Sequence, residues 1–186
     1  MKKLYYSIGL SGSGKSTYYK NRFLTDFSEV ANFLKERGLT LENIKVCPDD
    51  IRREVCGDVS DISRDNYIWK LADSRLKNNL DVYGYCVFDA TGVSASARKF
   101  LKKYTDIEKI AIVFEPDVDL SKERIKKDLN EGVDRSKVPM FVVDRQFESF
   151  KNNVVGDINW NKVYDEVAKK KIKFHLGGEF SDVIFV

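Results

Sequence analysis

The chain has 186 residues, 42% hydrophobic and 33% charged, with 32 Lys and Arg against 29 Asp and Glu and a formal net charge of +3. That length suits one α/β domain spanning 1–186, large enough to bury both faces of a sheet without disulfides or metals. So small a charge excess excludes a chain that binds nucleic acid through its overall field, and any polyanion site must be local.

The first apolar cluster, Leu4-Tyr5-Tyr6-Ser7-Ile8, predicts a strand that begins almost at the N-terminus and leaves no room for a secretory signal. No apolar stretch approaches the roughly 18 residues of a membrane span, so a soluble cytoplasmic protein with no membrane partner is expected. Cys47, Cys56 and Cys86 are odd in number and far apart, a pattern that predicts buried or incidental thiols rather than a disulfide framework or zinc site.

Directly after that strand comes Gly9-Leu10-Ser11-Gly12-Ser13-Gly14-Lys15-Ser16-Thr17, which satisfies every position of G-x-x-x-x-G-K-[ST]. A loop that wraps phosphate oxygens must turn consecutive N–H groups inward, and glycines tolerate the dihedrals this requires. The expected nucleotide-binding residues are Gly9, Ser11, Gly12, Ser13, Gly14, Lys15, Ser16 and Thr17. Lys15 is expected to set its charge against the β- and γ-phosphates and Ser16 to offer its hydroxyl to Mg²⁺, with ATP as phosphoryl donor. Residues 17–27 lack Gly and Pro and predict the helix whose positive end faces the anion.

Helical spacing recurs over 27–36, 67–80 and 95–104. Short apolar runs at 44–47, 85–88, 110–114 and 183–186 read as further buried parallel strands, about five in all. Strand alternating with helix predicts a doubly wound, mainly parallel sheet of the P-loop type, in which ligands gather beyond the strands' carboxyl ends. There the second strand is followed by Cys47-Pro48-Asp49-Asp50-Ile51-Arg52 and the third by Asp89-Ala90-Thr91-Gly92.

Asp49 is placed to orient an acceptor hydroxyl and take its proton, while Arg52, three residues on, shares its side of a helix starting near Asp50. A forked guanidinium there suits a phosphate-bearing acceptor. Asp50 is expected to cap that helix. Asp89 closes its strand where such folds present an acid to Mg²⁺-bound water or the loop Ser, with Thr91 and Ser94 as candidate caps nearby and Arg98 divided between surface charge and acceptor contact; Asp89, Thr91 and Arg98 join Asp49 and Arg52 as the expected acceptor-binding residues. Residues 124–139 are densely charged, break at Gly132 and end at Pro139, which predicts a mobile helical lid over about 120–140. Its cations, Arg124 and Arg135 foremost, would neutralise charge on the transferred phosphoryl group. Lys169-Lys170-Lys171 is expected to decorate a solvated helix end.

Together these motifs resemble the phage-type polynucleotide 5′-hydroxyl kinases, without a fused phosphatase. The resemblance rests on Gly9 to Thr17, Asp49-Asp50-Ile51-Arg52, Asp89-Ala90-Thr91 with Arg98, and the lid from Arg124 to Val138-Pro139. It implies phosphorylation of a nucleic-acid 5′-hydroxyl end, RNA or DNA, in end repair, with a separate phosphatase or ligase as partner. Asp49 then resembles the general base and Arg52 the ligand of the acceptor's 3′-phosphate. The lid departs from the family's R-N-x-x-R, because Asp128 stands four residues after Arg124; Arg135 is the expected second lid cation, with Lys126 and Lys127 as substitutes. Two other functions fit the same loop: a kinase for a small acceptor (nucleoside, nucleotide, sugar or antibiotic hydroxyl) and a nucleotide-dependent switch.

Overall fold

The computed structural model describes residues 1–155 and 166–186. In chain order the elements are β1 (Lys2–Ile8), α1 (Lys15–Asn21), α2 (Phe23–Asp26), α3 (Ser28–Glu36), α4 (Leu41–Ile44), β2 (Lys45–Val46), α5 (Pro48–Cys56), α6 (Asp65–Tyr83), β3 (Tyr85–Phe88) and α7 (Ala95–Arg98). A 3₁₀ turn (Lys99–Lys103) leads to β4 (Ile107–Val113), α8 (Val118–Asn130) and α9 (Met140–Phe150); a π turn (Lys151–Val155) follows, and α10 (Glu166–Leu176) and β5 (Asp182–Phe185) close the chain.

Among the described residues five strands pair in parallel, in the order β2-β3-β1-β4-β5. β1 lies at the centre, and Leu4, Tyr5, Tyr6, Ser7 and Ile8 are all fully buried, as a strand covered on both faces requires. Because successive side chains alternate, Leu4, Tyr6 and Ile8 join one core with Ile68, Leu76, Phe88, Phe150 and Ile172, while Tyr5 joins the other with Tyr19, Phe23, Val30 and Ile112. Helices α6, α9 and α10 therefore cover one face and α1 to α3 the other. On the second face the helix expected over 17–27 breaks at Arg22, which turns Phe23 and Phe27 onto Tyr5 at ring-centroid distances of 5.3 and 4.6 Å. Packing of those rings outweighs continuity of the helix. Likewise the stretch expected to be helical over 95–104 is α-helical only to Arg98 and then 3₁₀.

The topology brings the site together. The chain leaves β1, builds β2 and β3 on one side, and crosses back to build β4 on the other, so the loops after β1, β2 and β3 open side by side at the strands' carboxyl ends. Two backbone bonds tie them: Gly9 N–H donates to Thr91 O at 2.8 Å and Asp89 N–H to Val46 O at 2.8 Å. Gly92 makes the first possible, since its φ is +59° and an added Cβ would lie 2.4 Å from Ser7 O and 2.6 Å from the Tyr6 ring. Among the described residues, no helix is long and apolar enough to cross a membrane.

Candidate active site

The glycine-rich loop leads from β1 into α1, whose first residue is Lys15. Gly12 fixes its path: φ is +82°, and a Cβ there would lie 2.4 Å from Ser121 O in α8. Lys15 folds back under the loop, donating to Leu10 O at 2.6 Å and Gly9 O at 3.2 Å. Burial lowers its pKa, opposed by the charges of Asp89 and Asp49. An ammonium half-buried among carbonyls, with loop N–H groups beside it, fits a triphosphate that brings its own negative charge. Ser16 and Thr17 stand exposed at the first turn of α1.

On the far bank, α5 starts at Pro48 rather than near Asp50. Cys47, in extended conformation before the proline, takes the N-cap position. Asp50 is thus not the cap: it sits in the first turn, where it pairs with Arg53 at 2.7 Å. Asp49 faces the cleft with its side chain 55% exposed, and Arg52 Nη1 donates to its Oδ1 at 2.5 Å. Arg52 Nη2 donates to Asp65 Oδ1 at 2.5 Å, and its remaining reach is to Val59 O. Asp49 and Arg52 do share a helix side, as the spacing predicts, but Arg52 is 7% exposed and does not line the cleft. It clasps Asp49 instead of presenting its fork to an acceptor.

Asp89 is 6% exposed at the end of β3, and burial raises its pKa, with Lys15 and Lys45 opposing. It lines the cleft beside Thr91, Cys47, Lys15 and Ser16. The Cys47 thiol is likewise pushed up by burial. Ser16 and Asp89 are the groups on hand for a Mg²⁺ ion carried by the nucleotide. Ser94 caps α7 by accepting from Ala97 N–H at 3.1 Å. Arg98 is no acceptor contact: it is 2% exposed, and its donors go to Glu179, Gly92 O and Asn153 O. It ties the turn after β3 to the middle of the π turn and the approach to β5.

The lid has two parts. Arg124 to Asn130 belong to α8, whose buried Ser121 and Ile125 pack on the loop; residues 131–139 then run without regular structure to α9. Arg124 Nη1 lies 3.4 Å from Gly12 O, over the phosphate loop. Arg135 Nη1 pairs with Asp128. The residue that breaks R-N-x-x-R thus supplies the partner of the cation expected to replace it. Lys127, Arg124 and Arg135 all line the cleft. Lys170 and Lys171 are exposed as expected, Lys169 is half-buried, and the three lie within α10 rather than at a helix end.

The resulting cleft has a volume of about 670 Å³ and is walled by Lys15, Ser16, Asp49, Asp89, Arg124 and Arg135 among others. A second cavity of about 480 Å³ lies beyond Gly14 and Thr17, against Tyr18, Asn21, Phe114 and Arg124. Three residues that hold the site were not singled out from the sequence. Gln146 of α9 accepts from Ser11 N–H at 2.8 Å and donates to Ser11 Oγ at 3.1 Å, fixing the loop from above. Asp65 balances Arg52, and Arg53 lines the cleft beside it. Only Arg53 carried a signal: Asp-Asp-x-Arg-Arg contains two i,i+3 acid–base pairs, one residue out of phase.

A central parallel strand running into a glycine-rich loop, with acids beyond the ends of the adjacent β3 and of β2 next to it, defines a P-loop nucleotide-binding protein of kinase-like architecture. The AAA-domain family AAA_33 matches residues 4–152, and the chain belongs to that family. No curated protein matches. Among solved structures, a gluconokinase from Sinorhizobium meliloti 1021 is similar over 95% of this chain and 91% of that one, at 16% identity and a TM-score of 0.43.

Proposed function

We propose that the protein transfers the γ-phosphoryl group of ATP to a hydroxyl of a small polar acceptor such as a nucleoside, nucleotide, sugar or antibiotic. The observation that carries this reading is the convergence of Lys15, Asp49, Asp89 and Arg135 on one cleft. Asp49, aimed by Arg52, takes the proton of the attacking hydroxyl. Lys15 and the loop N–H groups hold the triphosphate in line, and the lid arginines face the charge that develops on the transferred group. Mg²⁺, when bound with ATP, would neutralise phosphate charge, and Ser16 and Asp89 are the cleft groups that would hold it.

The walls of the cleft support a small polar acceptor. Acids, bases and small side chains such as Thr91, Ser136 and Ala90 line the cleft with Asp49, so recognition by charge and hydrogen bonds is favoured over stacking of successive bases along a strand. Arg52, whose fork is taken by two carboxylates, lends no support to a required acceptor phosphate.

Transfer to a polynucleotide 5′-hydroxyl is the second reading, favoured by the D-D-x-R and D-A-T motifs and by the cations Lys45, Arg53, Lys127 and Arg135 along the same cleft. Incubation with γ-labelled ATP and a panel of sugars, nucleosides, mononucleotides and 5′-OH RNA and DNA oligonucleotides separates the two. Labelling of a small alcohol in preference to oligonucleotides is expected; preferential labelling of oligonucleotide ends would install the second reading. ATP consumption indifferent to every acceptor would remove both and favour a switch.

A further inference from the structure

Helix α5 carries its two acid–base pairs on different sides. Arg52 turns inward to Asp49 and Asp65, whereas Arg53, about 100° further round the helix, reaches across the cleft to the lid. Its Nε donates to Asp134 Oδ2 at 2.5 Å, its Nη2 to Asp134 O at 3.2 Å, and its Nη1 to Asp50 Oδ1 at 2.7 Å. Three residues beyond Asp134, Lys137 N–H donates to Ser60 Oγ at 3.0 Å, again from the lid to the acceptor bank. The two crossings bracket Arg135, whose own guanidinium turns back to Asp128 of α8. An otherwise irregular segment is therefore pinned one residue before and two residues after the cation it carries.

We infer that Arg53 is a positioning residue: it latches the lid to the acceptor helix through Asp134 and so holds Arg135 toward the phosphate loop. All three nitrogens of its guanidinium are engaged, two of them by Asp134 and one by Asp50, so the side chain is held in its crossing of the cleft. The contact is partly exposed, with side-chain exposures of 39% for Arg53 and 70% for Asp134, which keeps the expected effect modest. Exposed ion pairs change an equilibrium by about three- to fivefold at most.

Only the kinetic arm of the test rests on the phosphotransfer reading. Trypsin has sites within the lid at Arg124, Lys126, Lys127, Arg135 and Lys137, and cleavage there reports the open population when closing is fast. With a saturating non-hydrolysable ATP analogue, Arg53→Ala and Asp134→Ala are each expected to speed lid cleavage about three- to fivefold. The double variant should match the singles and Arg53→Lys should fall between. About 0.5 M salt should erase the difference from wild type. With the acceptor found by the panel, kcat should fall by a similar factor while KM for ATP stays within about twofold. Wild-type cleavage in Arg53→Ala, or losses that add in the double variant, would overturn the latch. Faster cleavage in a protein that labels no acceptor would instead overturn the phosphotransfer reading and leave the latch standing.

Discussion

In the floor of the cleft, residues 9–17 are fixed by sterics and backbone bonds: Gly12 has no room for a Cβ beneath Ser121 O, and Gly9 N–H is spent on Thr91 O. In the lid above it, residues 131–139 have no regular structure, and their crossings to the acceptor bank are Arg53 to Asp134 and Lys137 N–H to Ser60. The floor is a preformed mould and the lid a set of charge contacts that water and salt compete for. The difference assigns tasks. Binding the triphosphate requires a surface that does not rearrange, whereas admitting and releasing an acceptor requires one that opens at low cost.

The comparison is sharpened most by Arg135→Ala. If the lid cation acts on the transferring phosphoryl group, its loss is expected to cost about 10³-fold in kcat, the low end of what such arginines supply, with ATP-analogue affinity nearly unchanged. Single-turnover transfer beside equilibrium binding measures both. Arg98 gives the opposite profile. Its removal strips partners from Gly92 O, Asn153 O and Glu179, so Arg98→Met is expected to lower unfolding free energy by about 3 kcal/mol in denaturant titration. An Arg98→Met protein of wild-type stability that had lost acceptor binding would restore the acceptor role expected from sequence.

Gly12→Ala tests the mould itself. A side chain at φ +82° costs about 1–3 kcal/mol before its clash with Ser121 O, so both a lower Tm and loss of ATP-analogue binding are expected. Retained binding would show that the floor yields as readily as the lid.

Asp89 tests the electrostatic cost of the floor. Burial raises its pKa above the ordinary 3.8, so the native state holds the proton more tightly than the unfolded chain does. Stability from this group is full below about pH 3.8 and declines as pH rises through the native value. Asp89→Asn removes that decline. Its Tm is expected to gain on wild type as pH rises from about 4 to about 8, while phosphoryl transfer weakens. A Tm difference independent of pH would contradict the assignment.

What was legible in the sequence follows the same division. The five strands, the loop and the acids at 49 and 89 were readable because apolar runs and glycines act locally. β3 spans 85–88 as the sequence predicts and β1 ends at Ile8 as expected, while the other strand ends shift by one to three residues. Asp50 was misread as a cap because the Pro48 ring starts the helix earlier, with Cys47 at its N-cap. The distant partners of two arginines were not readable, because they lie on elements far apart in the chain: Arg98 meets Glu179 and Arg53 meets Asp134, both 81 residues away. Gln146, 135 residues from Ser11, carried no motif at all. Membership in the AAA-domain family covers the loop and both acids but is broader than the polynucleotide kinases the motifs resemble.

The central claim is that the carboxylate of Asp49 takes the proton of an acceptor hydroxyl opposite the triphosphate held at Lys15. Single-turnover transfer of labelled phosphate by wild type and Asp49→Asn, with ATP binding measured in parallel, tests it most directly. A loss of about 10²- to 10⁴-fold in transfer with unchanged ATP affinity is predicted; transfer at the wild-type rate by Asp49→Asn would contradict it.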